Sequence, residues 1–386
     1  MIKKRALSMA FLFAVLLFLS WRALPQWLPR LANIWLPTEM SLTVNGTPGW
    51  QGGGLHSAGF RLMAGECTLV DVRDMTLRWY SWRWHVDIDA VTLNSDCLQY
   101  VPASSSTEPA AQLAQWQQRL PAADIQVKTF TLQPWQDYAG QLRLSSDGKR
   151  QQTLDYQGDQ LAFKAELNEK RLTLHESMLA TPAGFVRLQV SGEMELADTL
   201  DAAPVQGRLT GKLDSGQTPD PLSLLLDWHH QAGELVLHAA NDETPLISLP
   251  WQLTDEVIQV TNGVWRWPYA DQPLSGQVAM TLQHWRQGLD ATTINARLNM
   301  LTQGHNGKAN AVLVLGPGNI GLLNSELRFQ LTGQANLPAL SLTATLPGVL
   351  QGSILNPELS LLPGALLRAW GTPAPQIYLE EARWPL

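Results

Sequence analysis

The sequence predicts a mainly β protein: an N-terminal transmembrane helix, then an elongated, curved antiparallel β-sheet, with one short amphipathic helix. Three observations predict this fold. A single apolar run lies near the N-terminus. Most of the remaining chain alternates apolar and polar residues, which is the period of a β-strand. A short alternating phrase with a glycine among its apolar positions also recurs along the chain, as in LSGQVAMTLQ from Leu274.

The composition limits the possible partners. The chain has 386 residues, of which 45% are hydrophobic and 16% are charged, whereas about 25% charged residues is usual for a soluble domain. The net charge of -7 argues against nucleic acid, because phosphate contacts need clustered Lys and Arg. We therefore expect little surface built for water and no nucleic-acid partner.

The apolar run from Ala6 to Trp21 follows Lys3, Lys4 and Arg5. It is short for a spanning helix of ~20 residues, but counting to Leu24 reaches the lower limit. A cleaved signal peptide is the alternative, yet the small-residue cleavage site it requires is missing, so an uncleaved anchor is favoured. The preceding positive charges place the N-terminus in the cytoplasm and the rest beyond the membrane. The predicted anchor residues are Ala6, Phe11, Leu12, Phe13, Val15, Leu16, Leu17, Phe18, Leu19 and Trp21.

The chain is predicted to have four segments. The helix is placed in AQLAQWQQRL because Leu113, Trp116 and Leu120 have helical spacing and Pro121 ends it. We expect this helix to cover one sheet. The segments are 1–24, cytoplasmic N-terminus and anchor; 25–100, a first β segment; 101–122, linker and amphipathic helix; and 123–386, a repetitive β region.

The stretch from Tyr80 to Ala90 predicts one strand. Its alternation puts Trp82, Trp84, Val86 and Ile88 on one face. Asp87 and Asp89 fall on the other face and are interpreted as its solvated side.

The glycine phrase predicts a shared geometry, because residues two apart in a strand lie on the same face. The glycine therefore lies on the apolar face of each copy. A glycine inside a strand often marks a bend or the close approach of another group. Two interpretations remain open at this point: the sheet curves sharply, or the glycines relieve crowding in an ordinary core.

Two cysteines, Cys67 and Cys97, lie in strand-like segments of a chain predicted to be exported. A disulfide between them is therefore expected, with two buried thiols as the alternative.

Motifs typical of catalysis are missing. The sequence has no G-x-S-x-G, H-E-x-x-H or P-loop. GPGNIG from Gly316 is interpreted as a turn, because the residues after it alternate as a strand. His229 and His230 are adjacent, so in a strand they would point to opposite faces and chelate poorly. We expect no enzyme activity, no catalytic residues, no cofactor and no metal.

Several longer stretches carry a family resemblance. They are ISLPWQLT from Ile247, NGVWRWPYADQPLSGQ from Asn262, LTQGHNGKANAVLVLGPGNI from Leu301, PGALLRAWG from Pro363 and the C-terminal EARWPL. Together they resemble the YdbH proteins of enteric bacteria, which are AsmA-like and of the TamB and YhdP type. The resemblance covers essentially the whole chain. Because family members are more than twice as long, the chain resembles an N-terminal portion that is truncated at its C-terminus.

The resemblance implies a hydrophobic groove made by a β-sheet folded lengthwise, sometimes called a β-taco. The implied function is that of a single-pass protein of the bacterial inner membrane with its bulk in the periplasm. There it would form a bridge segment for phospholipid transport toward the outer membrane and support outer-membrane lipid homeostasis. The implied partners are phospholipid, the inner membrane and, for full-length members, the small outer-membrane lipoprotein YnbE. The alternative function is a structural envelope scaffold with a closed β core and no lipid conduit.

With that implied groove, the alternation gives candidate lipid-facing residues. They are Leu142, Leu144, Met194, Leu196, Leu235, Leu237, Leu274, Val278, Met280, Leu282, Leu327 and Phe329.

Overall fold

A computed structural model of the chain describes two compact units, which are treated separately. Unit 1 comprises residues 1–170 and 198–200, and unit 2 comprises residues 171–197 and 201–386. The predicted anchor lies outside the described residues. Those residues are 36, 40–100, 112–181, 186–199, 203–216, 218–240, 242, 244–254, 256–270, 272–285, 291–304, 307–321, 324–338, 340–353, 356–371 and 383–385.

The prediction of a mainly β chain is confirmed, since strands dominate both units. Among the residues that the structure describes, no helix combines the length and hydrophobicity needed to cross a bilayer. The division between the two units falls at Lys170 and Arg171, inside the segment 123–386.

Unit 1 has nine strands among its described residues. Both of the first two strands pair with the third, at its two different ends. The strands are β1 (Met40–Val44), β2 (Gly49–Gln51), β3 (Gly54–Ala64), β4 (Cys67–Tyr80), β5 (Arg83–Asn94), β6 (Ala122–Gln133), β7 (Gly140–Asp147), β8 (Gln151–Gly158) and β9 (Leu161–Asn168).

The prediction of a purely antiparallel sheet is wrong at one place in unit 1. Strands β5 and β6 are parallel, with Val86 opposite Ile125. Parallel neighbours need a crossover of about a dozen residues or more. The segment between Asn94 and Ala122 is long enough for this, and it contains a 3₁₀ helix, Ser95–Tyr100, and an α-helix, Leu113–Arg119.

The prediction of one strand from Tyr80 to Ala90 is also wrong. Strand β4 ends at Tyr80 and β5 begins at Arg83, so the two form a hairpin. The turn residues Ser81 and Trp82 both have positive φ, 52° and 61°. Turns of this kind usually contain Asn or Gly, and neither is present to reveal the turn.

The short helix Leu113–Arg119 buries a different face from the predicted one. Leu113 is buried as expected, but the second buried residue is Gln117, which is 2% exposed. The Gln117 side-chain amide donates hydrogen bonds to the Glu169 carbonyl at 2.9 Å and to Gln152 Oε1 at 3.1 Å. Trp116, predicted to face inward, is 40% exposed, because hydrogen bonding rather than hydrophobicity fixes this helix.

A disulfide joins Cys67 and Cys97, whose Cα atoms are 5.6 Å apart. It connects the start of β4 with the 3₁₀ helix Ser95–Tyr100. Cys97 is buried with Ala64 and Leu69 in the small core of unit 1.

Unit 2 contains fifteen strands among its described residues. From β10 to β21, each strand pairs antiparallel with the next along the chain. The strands are β10 (Arg171–Ala180), β11 (Arg187–Glu195), β12 (Gln206–Asp214), β13 (Leu222–His229), β14 (Ala232–His238), β15 (Ile247–Leu253), β16 (Val257–Trp267), β17 (Leu274–Gln283), β18 (Thr293–Gly304), β19 (Gly307–Asn319), β20 (Ser325–Leu337), β21 (Leu340–Ser353), β22 (Asn356–Leu361), β23 (Leu366–Gly371) and β24 (Arg383–Pro385).

Among the described residues, bulges interrupt this ladder at three places, the first of them in β10 between Leu174 and Ser177. In β16, the register shifts between Val260 and Gly263 relative to both neighbouring strands. In β19, the shift falls between Leu315 and Gly318, so GPGNIG begins with a bulge inside a strand and does not form the predicted turn. Each bulge adds one residue, which bends the strand and keeps the apolar residues on either side of it on one face.

Candidate functional site

One face of the unit 2 sheet is apolar from strand to strand. Residues directly opposite each other on paired strands share a face, so the register defines rows that cross the sheet. One such row runs from β10 to β22 and holds only apolar residues and glycines. Its members are Leu172, Met194, Gly207, Trp228, Gly233, Trp251, Val260, Met280, Ala296, Leu315, Phe329, Gly348 and Leu361.

A neighbouring row on the same face has the same character. It crosses from β15 to β21 and then to β23, and its members are Ile247, Trp265, Gly276, Met300, Ala311, Gly333, Ala344 and Leu367. We call the surface formed by these rows and the like-facing residues of the same strands the apolar face of unit 2.

The structure brings most of the candidate residues together on this face. Met194, Met280 and Phe329 belong to the first row. Leu196 follows the end of β11. The candidates that share the face at other positions of β14, β17 and β20 are Leu235, Leu237, Leu274, Val278, Leu282 and Leu327.

The remaining two candidates lie in unit 1. Leu142 in β7 is opposite Val127 of β6 and Tyr156 of β8, and the next position on that face is Leu144. Tyr156 is buried, its hydroxyl donates a hydrogen bond to the Tyr138 carbonyl, and burial raises its pKa. The phenol therefore stays neutral and serves as packing.

Burial separates the candidates into two groups. Leu237 and Leu327 are only 6% and 2% exposed. Leu237 belongs to a closed cluster with Leu222 and Leu246, so these side chains contact protein. Larger members of the first row, such as Trp228, Met280 and Phe329, are half-buried. Their sides touch neighbouring strands while part of each side chain remains accessible, unlike the core of a two-layer sandwich.

Several glycines of the recurring phrase make room for aromatic rings from adjacent strands. A Cβ on Gly233 would lie 2.5 Å from the Trp251 ring, and one on Gly207 would collide with the Trp228 ring. Phe329 covers Gly348 in the same way. Close approach of another group, which is one known role of a strand glycine, therefore accounts for these positions. Large and small residues interdigitate along the row.

Trp265 shows how far a ring reaches. It starts on β16, passes over Gly276 of β17, and its indole Nε1 donates to the Asn299 carbonyl of β18 at 3.2 Å. A Cβ on Gly276 would lie 2.8 Å from that nitrogen. Because the Trp265 ring packs closely across β17, it covers Gly276 with apolar surface.

The opposite face of unit 2 is polar, and between β17 and β21 it is mostly neutral. A concavity between β16 and β21 is lined by amides and hydroxyls together with apolar side chains such as Val264, Leu301 and Val312. Among its lining residues are Ser275, Gln277, Asn299, Asn310, Thr332, Gln334 and Thr343. These groups suit water, because an acyl chain would leave their hydrogen bonds unmade.

Arg266 lies on the polar face and forms hydrogen bonds with the β14–β15 connection. Its guanidinium donates to the Pro245 carbonyl at 2.9 Å and contacts Asp242. The hydrogen bond from Arg266 to the Asp242 carboxylate is the main cause that lowers the pKa of the Asp242 carboxyl.

The histidine pair behaves differently from its prediction. His230 occupies the β13–β14 turn with φ 56°, so the two rings lie together, with their Nδ1 atoms 2.6 Å apart. The expectation of opposite faces is wrong, because it assumed an extended backbone. Throughout the described part of the chain, no three His, Cys, Asp or Glu side chains are grouped as metal ligands would be.

The sequence interpretation did not select Trp228, Trp251 and Trp265 as site residues. A signal was available, since each alternates in step with apolar neighbours. Their role depends on glycines in adjacent strands, which only the register reveals.

An extended, accessible apolar face is typical of surfaces that take part in binding. The chain belongs to the YdbH-like family: the model of that family, described as intermembrane phospholipid transport protein YdbH, matches residues 11–386. The family resemblance predicted above is confirmed.

A curated relative agrees with this assignment. The chain is 37% identical over 361 residues to the probable phospholipid transport protein YdbH of Escherichia coli (strain K12). The aligned region covers 93% of this chain and 41% of that protein, so the chain spans less than half of the relative's length. No solved structure shows significant similarity to the chain.

Proposed function

We propose that the apolar face of unit 2 binds the acyl chains of phospholipids and forms one segment of an intermembrane transport path. The observation that supports this most directly is the row of apolar residues and glycines that runs without a polar interruption from Leu172 to Leu361. The family and its Escherichia coli relative are described as phospholipid transport proteins, which supports phospholipid as the ligand class.

The energetics suit weak binding all along the path. Burying one CH₂ group contributes about 0.8 kcal/mol, and the half-buried side chains leave apolar surface for such contacts. Twelve strands, β10 to β21, spaced by ~4.8 Å extend on the order of 50 Å along the ladder. Similar chemistry at each strand would allow a chain to move between equivalent positions, because no single site holds it strongly.

The proposal includes a location. The segment from Ala6 to Trp21 anchors the chain in the bacterial inner membrane, and the sheet lies in the periplasm as part of a bridge to the outer membrane. The charge pattern of the N-terminus and the disulfide, which suits an oxidising compartment, support this. Contact with the outer-membrane lipoprotein YnbE stays a prediction from the family resemblance.

The test uses neighbouring positions of β17. Val278 and Met280 lie on the apolar face, while Ala279 and Thr281 lie on the other. A photo-crosslinking amino acid is placed at each of the four positions in the full chain, in cells, and lipid adducts are read by mass spectrometry. We expect adducts at 278 and 280. Adducts at 279 and 281 would assign the polar face, and adducts at none in folded protein would favour the closed scaffold.

A matched pair of variants tests the same face. Met280→Asp places a carboxylate on the lipid path, which is costly without a partner. Ala279→Asp places the same group at an exposed position one residue away. We expect co-purified phospholipid to fall severalfold in Met280→Asp only, while both proteins keep their β circular-dichroism spectrum. Equal lipid content in the two variants contradicts the proposal.

A further inference from the structure

The tip of the β4–β5 hairpin carries a cluster of exposed aromatic side chains. Trp82, at the apex, is 85% exposed, and Trp79 is 48% exposed. The Trp79 ring contacts the Trp82 and Trp84 rings, at centroid distances of 6.5 and 4.7 Å. This much exposed indole is unusual for a side chain that only supports a fold.

The backbone conformation at the apex of the hairpin is unfavourable for tryptophan. Trp82 has φ 61°, a conformation that bulky residues rarely adopt. Glycine or asparagine would form this turn with less strain. Strain retained at one residue points to a role outside the fold. The turn is therefore less stable with tryptophan than it could be, and the exposed ring has no described partner layer beyond its hairpin neighbours.

Register places more aromatic surface at the same end of unit 1. Trp84 is opposite Ala123, at the start of β6, and the helix Leu113–Arg119 directly precedes that strand. Trp116 of this helix is 40% exposed. Trp116 thus lies toward the same end of unit 1 as the β4–β5 hairpin, but on the side of β8 and β9, where Gln117 of its helix contacts the Arg150 and Glu169 carbonyls.

We propose that this aromatic end, formed by Trp79, Trp82 and Trp116, docks into the interfacial layer of a phospholipid bilayer. Indole rings favour that layer, because they combine an apolar body with a polar N–H group. Arg83 is the only charged residue from Trp79 to Trp84, and it forms an ion pair with Asp124, so the indole rings dominate the hairpin tip. A protein partner is disfavoured, since the cluster surrounds a narrow hairpin apex and offers no extended flat surface. This attachment does not depend on lipid binding by unit 2.

The experiment follows a fluorophore at the hairpin tip. Ser81→Cys is labelled with an environment-sensitive dye in the full chain, which is incorporated into vesicles of phosphatidylethanolamine and phosphatidylglycerol. The two native cysteines form the disulfide, so only the new thiol reacts. The control is His230→Cys, a turn position of unit 2 with nearly the same φ, 56°. Spin-labelled lipids should quench the dye at 81 severalfold more strongly than the dye at 230.

A third protein separates membrane attachment from support of the fold. Trp82→Gly relieves the strain at the apex, so a purely structural role predicts an unchanged or firmer hairpin. The membrane role predicts that quenching at position 81 falls to the level at position 230. Quenching that is equal at 81 and 230 from the outset, or that survives Trp82→Gly, overturns the proposal. Energy transfer between labelled copies without lipid quenching overturns it in favour of self-association.

Discussion

Units 1 and 2 share strands with one apolar face, but they stabilise the opposite face in different ways. In unit 1 the polar side chains of adjacent strands form ion pairs, such as Arg78 with Asp87 and Lys128 with Asp89. The polar face of unit 2 between β17 and β21 is dominated by neutral amides and hydroxyls. Specific charged contacts therefore matter more in unit 1 than in β17 to β21 of unit 2, where cross-strand packing matters more.

The two units also differ in how their strands are connected. Unit 1 combines a disulfide, a parallel crossover and a helix fixed by a buried glutamine. From β10 to β21, unit 2 repeats one arrangement, in which each strand pairs antiparallel with the next. Tryptophan rings lie over glycines of adjacent strands in this part of the sheet. Repeated antiparallel pairing can extend a sheet face by any number of strands, whereas the disulfide, the parallel crossover and the helix of unit 1 each occur at one place. The following predictions can break or sharpen this contrast.

The largest expected effect is on the disulfide of unit 1. It closes a loop with a sequence separation of 30 residues. Such a loop corresponds to about 3–4 kcal/mol of stabilisation, mainly through the unfolded chain. We expect Cys67→Ala combined with Cys97→Ala to lower the free energy of opening of unit 1 by that amount, measured by hydrogen exchange. Amides of unit 2 serve as the control, and equal loss of protection there would show that the units do not unfold separately.

The next effect concerns the packing of unit 2. Gly276→Val inserts a side chain where the Asn299 carbonyl and the Trp265 ring already lie, and overpacking costs about 1–3 kcal/mol. Ala279→Val on the exposed face of the same strand should change the free energy of opening by less than about 0.5 kcal/mol. Hydrogen exchange of β16 to β18 measures both. A neutral Gly276→Val would mean that curvature and not ring packing explains the glycines.

A smaller effect tests the helix of unit 1. By its hydrophobic pattern alone, Gln117→Leu should strengthen the buried face. In the structure the substitution removes the donor for the Glu169 carbonyl, and a buried polar group left without its partner costs about 1–3 kcal/mol. We therefore expect a lower unfolding midpoint in urea. Gln118→Leu, at the next and exposed position, is the control and should be nearly neutral.

Sequence reasoning succeeded where the cause is local. Alternation placed Leu274, Val278 and Met280 on one face of one strand, because the two-residue period is a property of the strand itself. It failed where the cause lies elsewhere in the chain. Gln117 contacts carbonyls more than thirty residues away in sequence, and Gly276 is required by the Asn299 carbonyl of β18 together with a ring from β16.

The prediction missed the turn at Ser81 and Trp82 for another reason. A Ser-Trp pair carries no local turn signal, and its alternation continues smoothly from β4 into β5. The family resemblance, in contrast, rested on long stretches and did not depend on any single element. The identity of the family was therefore more predictable than the details of unit 1.

The smallest expected effect compares one arginine in each unit. Arg83 lies 3.2 Å from Asp124 and also donates to the Ser146 carbonyl at 2.7 Å. Arg208 lies 3.8 Å from Asp227, and both side chains are largely exposed. Exposed pairs contribute about 0–1 kcal/mol, whereas a hydrogen bond to a partly buried carbonyl does not depend on the ion pair. We expect Arg83→Ala to lower the free energy of opening of unit 1 by about 1 kcal/mol.

Salt distinguishes the two contributions. Raising ionic strength screens the Asp124 and Asp227 attractions, but it leaves the bond from Arg83 to the Ser146 carbonyl largely intact. The difference between wild type and Arg83→Ala, measured by hydrogen exchange of β6 and β7, should therefore persist in high salt, whereas any effect of Arg208→Ala on β12 and β13 should vanish. If both effects vanish, Arg83 contributes only a surface ion pair, and the two polar faces are stabilised in the same way at these positions. If only the Arg83 effect persists, unit 1 is held by contacts that the repeating strands of unit 2 do not need.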